Sequence, residues 1–256
     1  MTDRLTWLGH ATVLVELSGA RLLTDPLLRS RVAHLRRHAA RPALPARLDG
    51  ILISHAHRDH LDLPSLRRLD PQAPIVAPAG ASRVLRRSGR DVREIAEGDV
   101  LELAGVRVTA VRADHDGRRS PFAPRAAAVG YVVAAARGVY FAGDTESFDG
   151  MAGLGASLDA ALLPIWGWGP RLGSGHMDPD QAARALSVLR PKLAVPIHWG
   201  TYLPLGLGRR HAPLLRDPAR AFAAKAAEVA PQVRVAILHP GDAVELGDGP
   251  ERSIAS

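Results

Sequence analysis

The chain contains no cysteine among its 256 residues, few aromatic residues (4%) and almost no lysine. Without cysteine it can form neither a disulfide nor a thiolate metal site, so histidine and carboxylate side chains are its only strong metal ligands. Lys192 and Lys225 are the only lysines among the 33 basic residues, and arginine therefore carries nearly all of the net charge of +7. Because alanine and glycine are also abundant, as a biased genome composition produces, we discount this charge as an indication of nucleic-acid binding.

No segment reaches the run of about 18 uncharged apolar residues that a membrane-spanning helix requires. Residues 1–4 lead directly into a strand-like run and lack the layout of a signal peptide. We therefore expect a cytoplasmic protein without a transmembrane segment. The composition, 46% hydrophobic and 23% charged, is typical of a globular chain, and the length is compatible with one domain over residues 1–256.

Short apolar runs separated by turn residues alternate with a few segments of helical periodicity, which indicates a mixed α/β fold. The predicted strands are 5–8, 12–17, 21–24, 50–54, 75–77, 100–103, 106–111, 128–134, 139–142, 160–164, 193–196 and 233–238. The predicted helices are 64–69, 79–88, 178–189 and 217–229. The arginine-rich segment 29–47 is predicted to be a long loop near one end of the sheets.

Two hairpins of the sequence resemble each other. Residues 12–24 form a predicted hairpin that is followed by Asp25, and residues 131–142 form a second one that is followed by Asp144. Two similar β-rich halves with helices outside favour an α/β fold of four layers, an αβ/βα sandwich.

The densest group of potential ligands is the run HAHRDH, which directly follows the apolar strand 51–54. In such a turn His55 and His57 can face one point, while Asp59 and His60, one turn further on, face a second point a few Å away. A site for two metal ions about 3.5–4 Å apart needs this arrangement. A polar surface loop is the alternative interpretation.

The motif H-x-H-x-D-H resembles the signature of the metallo-β-lactamase fold hydrolases, in which an isolated histidine, an aspartate and a final histidine follow, each at the end of a strand. Each later residue has its counterpart here after a predicted strand, in His115, Asp144 and His198. The resemblance implies the four-layer sandwich and two divalent metal ions. It places His55, His57 and His115 on one ion, Asp59, His60 and His198 on the other, and Asp144 between them. This mixture of imidazole and carboxylate ligands suits zinc best, with iron or manganese as alternatives.

Several further segments resemble one branch of these hydrolases, that of the N-acylphosphatidylethanolamine-hydrolysing phospholipase D and its bacterial relatives, and more distantly the ascorbate-6-phosphate lactonases. The segments are 7–16, 23–26, 51–62, 143–145, 164–165, 170–171, 175–179 and 197–201. The chain departs from this branch after His115, where Asp116, Gly117, Arg118 and Arg119 stand in place of an expected aromatic residue.

In this family two divalent ions that share an aspartate and a water molecule lower the pKa of that water from ~15.7 toward neutrality, which supplies a hydroxide nucleophile. Asp59 and Asp144 are then the catalytic carboxylates. His176 is the third catalytic candidate, because it lies between a glycine-rich loop and the helix cap Asp178, where it can protonate a leaving group or bind a phosphate. A purely structural role in the loop is the alternative for His176.

Five further residues are candidates for supporting the metal ligands or lining the substrate pocket. Asp25 can accept an imidazole N–H and so fix the tautomer of a ligand. His10 can act in the same way, or merely hold its own hairpin. Trp166, Trp168 and Arg171 lie in a Gly/Pro loop where large side chains line a pocket or simply fill the loop. His34, His38 and His211 lie outside any motif, and we expect them to be solvated.

Two catalytic hypotheses and one non-catalytic hypothesis remain open at this point. The first is a hydrolase of phosphodiesters in a small or lipid-like substrate, which cationic groups such as Arg118 or Arg171 beside the metals would favour. The second is a lactonase or carboxyl-ester hydrolase on the same metal centre, which needs an apolar slot. The third is a metal-binding scaffold. We expect no nucleic-acid partner, and the resemblance allows a homo-oligomer.

Overall fold

The computed structural model describes residues 2–119, 123, 126–154, 158–207 and 209–247. Its strands are β1 (Arg4–Gly9), β2 (Thr12–Leu17), β3 (Ala20–Thr24), β4 (Arg31–Val32), β5 (Leu35–Arg37), β6 (Gly50–Leu52), β7 (Ile75–Pro78), β8 (Val92–Ile95), β9 (Val100–Leu103), β10 (Val106–Arg112), β11 (Val129–Ala134), β12 (Gly138–Phe141), β13 (Ala160–Pro164), β14 (Leu193–Ile197), β15 (Tyr202–Pro204), β16 (Arg234–Val235) and β17 (Ala243–Glu245). The α-helices are α1 (Leu63–Leu66), α2 (Ala81–Leu85), α3 (Pro179–Leu189) and α4 (Asp217–Val229), and short 3-10 helices cover Arg86–Ser88, Asp149–Leu154 and Arg209–Leu215.

The strands form three sheets. The first seven-stranded sheet has the order β17-β1-β2-β3-β6-β7-β8, and the second has the order β16-β14-β13-β12-β11-β10-β9. A small third sheet has the order β15-β5-β4. Both large sheets combine an antiparallel half with a parallel half, since β3, β6, β7 and β8 run parallel to one another, as do β12, β13, β14 and β16.

Alternating side chains divide the core into layers, as the two-residue period of a strand requires. On β2, Val13 and Val15 belong to the core cluster that also contains Val108 and Val133 of the second sheet. Leu14 belongs to a separate cluster on the other face of the first sheet, together with residues of α1 and α2. Helices α3 and α4 pack against each other and against the second sheet. The predicted αβ/βα sandwich is therefore confirmed.

The segment 29–47 is not the plain loop that the sequence predicts. It contains the hairpin β4–β5, whose strand β5 pairs with β15. The two strands are too short and too basic to show the alternation of apolar and polar residues from which a strand is predicted. They are held by the buried guanidinium of Arg37, which donates hydrogen bonds to the carbonyl oxygens of Leu8 (2.6 Å) and Ala40 (3.1 Å). Strands β8, β15 and β17 are also absent from the prediction, and the predicted strand 233–238 shortens to Arg234–Val235.

The candidate site residues meet at one rim because the parallel strands point in the same direction. Asp25 follows β3, the motif 55–60 follows β6, Asp144 follows β12, the loop 165–176 follows β13, and His198 follows β14. Carboxyl ends of parallel strands are where α/β sheets place their ligand sites.

None of the helices in the described part of the chain combines the length and the hydropathy that a membrane span requires.

Candidate metal centre

Several residues at this rim have an unusual backbone conformation. His10, Asp25 and His198 have φ values of +56°, +32° and +61°, in the left-handed region that residues other than glycine rarely adopt. Gly143, which precedes Asp144, has a φ of +63°, and a Cβ at this position would lie 2.6 Å from that of Ser54. Strain of this kind costs about 1–3 kcal/mol per residue and concentrates at functional sites.

One group of ligand atoms combines the first half of the motif with His115 and Asp144. The potential ligand atoms of His55, His57, His115 and Asp144 all lie within 4.8 Å of one another. His57 Nδ1 is 2.9 Å from His55 Nε2 and 3.2 Å from His115 Nε2. Burial lowers the pKa of His55 and His57, and it lowers the pKa of His115 to about 4. Neutral imidazoles crowded in this way offer their lone pairs to a cation.

A second group combines the other half of the motif with His198. The Nε2 atoms of His60 and His198 are 3.2 Å apart. Asp59 Oδ2 lies 3.8 Å from His60 Nε2 and 3.9 Å from His198 Nε2. The rings of His60 and His198 are fully buried, whereas the side chain of Asp59 is 15% exposed.

Asp144 lies between the two groups. Its Oδ2 is 3.1 Å from His60 Nε2 and 3.8 Å from His55 Nε2, and its Oδ1 is 3.3 Å from His198 Nε2. Burial alone would raise the pKa of Asp144, but His198, His60 and His176 outweigh it and hold that pKa well below its usual range. Within the described part of the chain, the buried Oδ1 has no hydrogen-bond partner. An ionised carboxylate with an unpartnered buried oxygen fits a metal ligand.

Hydrogen bonds on the outer side of three imidazoles fix their orientation. His60 donates from Nδ1 to Asp25 (2.7 Å), His115 donates from Nδ1 to the Gly175 carbonyl (2.8 Å), and His198 donates from Nδ1 to the Trp166 carbonyl (2.8 Å). Each ring therefore turns its Nε2 toward the centre, and the form with its proton on Nδ1 is the tautomer that metal-binding histidines need. Burial alone would lower the pKa of His60, but the carboxylates of Asp144, Asp25 and Asp59 raise it well above its ordinary value, so a metal ion would replace the Nε2 proton of this ring. The donor set thus fits divalent metal ions.

Asp25 and His10 both support these side chains. The buried carboxylate of Asp25 accepts hydrogen bonds from the backbone N–H of Ser54 (2.7 Å) and from its hydroxyl, in addition to that of His60. His10 Nε2 lies 3.2 Å from Asp59 Oδ2, and burial lowers the pKa of His10 to about 3, so the neutral ring donates to the carboxylate. Its backbone also joins the surrounding loops, because its carbonyl accepts from the Trp7 indole (2.8 Å).

His176 reaches the same cluster from the loop before α3. Its Nε2 is 3.2 Å from Asp144 Oδ2, and its Nδ1 donates to the Ser174 carbonyl (3.0 Å). Burial lowers the pKa of His176, but Asp144 outweighs this effect and raises that pKa to about 9. At neutral pH the metal-free protein therefore carries an imidazolium beside Asp144.

The three loop candidates have different positions. Trp168 lines a cavity and donates from Nε1 to Asp59 Oδ2 (3.2 Å). Trp166 packs against the main core, and its Nε1 donates to the Gly169 carbonyl (3.2 Å). The side chain of Arg171 is exposed and does not line the cavity. The sequence alone does not distinguish these positions, because all three residues lie in the same irregular loop.

A cavity of about 630 Å³ opens beside the cluster. Its lining consists of Val32, Ala33, His34, Leu35, His57, Arg58, Asp59, Asp116, Arg118, Arg119 and Trp168. The hairpin β4–β5 therefore provides one side of the cavity, which the sequence did not indicate. His34 is exposed, as expected for a solvated residue, but its ring also meets Trp168 edge-on at 4.8 Å.

Comparisons with known proteins agree with this architecture. A sequence model described as the beta-lactamase superfamily domain matches residues 20–199. The chain is 33% identical over 231 residues to N-acyl-phosphatidylethanolamine-hydrolyzing phospholipase D 1 of Caenorhabditis elegans, over 78% of this chain and 64% of the worm protein. It is also 33% identical over 253 residues to a metal-dependent hydrolase of Opitutus terrae, over 95% of this chain and 100% of that protein.

A solved structure shares the fold over nearly the whole chain. This metallo hydrolase from the archaeon Ignicoccus hospitalis superposes with a TM-score of 0.73 at 26% identity, over 96% of this chain and 98% of that one. The resemblance inferred from the motifs is thereby confirmed. The chain belongs to the beta-lactamase superfamily and is one of its metal-dependent hydrolases.

Proposed function

We propose that the protein hydrolyses phosphodiesters of small or lipid-like molecules by means of two divalent metal ions held around Asp144. The observation that carries the proposal is the convergence of two groups of ligand atoms on this one buried, ionised carboxylate. His55, His57 and His115 would hold one ion. Asp59, His60 and His198 would hold the other, with Asp144 shared between them. We propose zinc, and iron and manganese accept the same donor set.

When bound, such a metal pair lowers the pKa of a coordinated water and polarises the oxygen of the bond that is cleaved. The protein's own residues fix the geometry for this chemistry. Asp25 holds the His60 ring, and the carbonyl oxygens of Gly175 and Trp166 hold the other two rings. Because these partners are in place beforehand, little reorganisation is needed during the reaction.

His176 is the proposed proton donor to the leaving group. Its Nδ1–H is engaged with the Ser174 carbonyl, and its Nε2–H points at Asp144, at the inner end of the loop. An imidazolium that stands beside the cleaved bond can pass the Nε2 proton to the departing oxygen. In the metal-free protein Asp144 stabilises this charged form.

Two features of the cavity bear on the substrate. Arg58, Arg118 and Arg119 belong to its lining, where Arg118 pairs with Asp116, and such cationic groups favour an anionic phosphodiester. Val32, Leu35 and Trp168 belong to the same lining. These apolar side chains favour the second candidate, hydrolysis of a lactone or carboxyl ester on the same metal centre.

The proposal is tested with purified protein that has been stripped by a chelator and reloaded with zinc, iron or manganese. Elemental analysis counts the metals, and turnover of an activated phosphodiester is compared with that of a simple lactone. Asp144→Ala should lose both activities and at least one metal, whereas Asp180→Ala, which changes an exposed carboxylate on α3, should behave like the wild type. Cleavage of the lactone alone would overturn the phosphodiester proposal, and full activity of Asp144→Ala would overturn the proposed centre.

The proposal includes the organisation of the chain as one domain and its location in the cytoplasm, and the family resemblance allows a homo-oligomer. Size-exclusion chromatography with light scattering measures the oligomeric state. A mass equal to that of one chain at all concentrations would contradict a homo-oligomer.

A further inference from the structure

Trp168 stands between the cavity and the metal centre. One edge of its ring meets His34 of the hairpin at 4.8 Å, and the ring packs against the small cluster that contains Leu27, Val32 and Leu35. It is also part of the cavity lining. Its ring therefore belongs to the surface on which the uncharged part of a substrate would lie.

The polar edge of the same ring points in the other direction. Trp168 Nε1 donates to Asp59 Oδ2 at 3.2 Å, and His10 Nε2 lies 3.2 Å from the same oxygen. One carboxylate oxygen is thus held by two N–H groups that come from distant parts of the chain. The two rings have different surroundings, because His10 is fully buried, whereas Trp168 is half-buried and reaches the cavity.

Asp59 is the member of its ligand group that most needs such support. His60 and His198 are fully buried and fixed from behind by Asp25 and by the Trp166 carbonyl. Asp59 is partly exposed and lines the cavity, so its carboxylate is free to rotate unless N–H donors hold it. Outer partners of this kind typically change metal affinity or activity by about 10–100-fold.

We propose that Trp168 is a positioning residue for Asp59 and, through the same ring, the receptor for an alkyl or acyl chain of an amphiphilic substrate. An apolar chain packed on the ring restricts the indole to the orientation in which Nε1–H faces Asp59. A metal ion that fixes Asp59 favours the same indole orientation. Chain binding and metal binding therefore strengthen each other by the same factor, as linkage requires. This inference rests on the proposed metal centre.

The test compares the metal affinities of three variants, measured by chelator competition as metal is added to metal-free protein. Trp168→Phe keeps an aromatic surface but loses the N–H, and we expect metal affinity about 10-fold weaker at one of two ions, with chain binding preserved. Trp168→Ala should lose both the metal affinity that depends on the indole N–H and the binding of the chain. His38→Ala, the matched control, removes an exposed ring of the same segment that does not line the cavity, and should keep wild-type metal affinity.

The coupling is measured on the wild type, with octyl glucoside below its micelle concentration as an uncharged probe that carries no metal ligand. We expect the probe to raise metal affinity about 5-fold or more in the wild type and to leave that of Trp168→Phe unchanged. No shift in the wild type, or wild-type affinity in a folded Trp168→Phe, would overturn the inference. Failure of the wild type to bind two metals would instead overturn the proposed function.

Discussion

Replacing Asp25 with alanine removes the acceptor of three hydrogen bonds at the base of the metal centre. The donors are the backbone N–H and the hydroxyl of Ser54 and the Nδ1–H of His60. Both Asp25 and His60 are fully buried, so water cannot replace the lost acceptor. The alanine variant therefore leaves buried donors without partners and frees the His60 ring to rotate.

The expected loss of stability is large. Removing one partner of a buried charged pair costs about 3–5 kcal/mol, and hydrogen bonds to charged groups contribute about 1.5–3 kcal/mol each without being additive. We therefore expect Asp25→Ala to lower the free energy of unfolding of the metal-free protein by about 3–5 kcal/mol. Since domains are commonly stable by about 5–15 kcal/mol, this is a substantial part of the total. Metal affinity should fall about 10–100-fold, because His60 is no longer held.

Urea unfolding followed by circular dichroism, with and without metal, measures the first effect, and chelator competition measures the second. Asp25→Asn separates size from charge, because an amide oxygen in the place of Oδ2 still accepts from the Ser54 hydroxyl and from His60, whereas the amide NH2 in the place of Oδ1 cannot accept from the Ser54 backbone N–H. It should therefore lie between the wild type and Asp25→Ala. As a control, Asp180→Ala breaks an exposed pair with Arg184 and should change stability by less than about 1 kcal/mol.

The reasoning would be refuted if a folded Asp25→Ala lost less than about 1 kcal/mol and kept its metal affinity. If the alanine variant does not fold, Asp25→Asn decides the question. A free energy of unfolding equal to that of the wild type in Asp25→Asn would show that the second oxygen and the charge of Asp25 do not stabilise the base of the centre.

Two further predictions follow from the same rim. A Cβ at Gly175, where φ is +78°, would lie 2.5 Å from His115 Nδ1. Gly175→Ala should therefore displace the His115 ring and weaken metal binding about 10-fold, as measured by chelator competition. Gly173→Ala, with open space around the added Cβ, should keep wild-type metal binding. In the metal-free protein Asp144 raises the pKa of His176 to about 9, above the ordinary value of about 6.5. The stabilisation of the folded protein by this ion pair is fully present below pH ~6.5 and disappears as the pH rises through 9. The urea midpoint should therefore fall over this pH range in the wild type and fall less in His176→Gln. Parallel pH dependences of the two midpoints would contradict the pairing of His176 with Asp144.

Most strands of the two large sheets could be predicted from the sequence because they are short apolar runs bounded by turns, whereas the edge strands β8 and β17 were missed. The hairpin β4–β5 could not be predicted, because it depends on contacts that are distant in the chain. Its strand β5 pairs with β15, and the Arg37 side chain is satisfied by carbonyl oxygens such as that of Leu8. Every residue has a backbone carbonyl, so the residue types do not indicate which carbonyl oxygens accept such hydrogen bonds.

For the same reason, the sequence indicated the candidate ligands better than their supports. The motif and the later histidines stand out by residue type, whereas the carbonyl acceptors of Gly175 and Trp166 do not. His10 makes a contact of the kind that each of its two interpretations requires, since its ring bonds to Asp59 while its carbonyl accepts from Trp7. The left-handed backbone conformation of His10, Asp25 and His198 depends on tertiary contacts and cannot be predicted from the neighbouring sequence.

The origin of the cavity has a consequence for how such proteins diversify. Most of its apolar lining comes from the short hairpin β4–β5 of the third sheet, while the ligand side chains follow strands of the two large sheets. Exchanging residues 31–35 between homologues should therefore redirect which molecules are accepted, and it would reach the metal ligands only through Trp168, which packs against the hairpin and bonds to Asp59. Under the proposed function, the segment that selects a substrate and the residues that hydrolyse it are thus linked through a single indole ring.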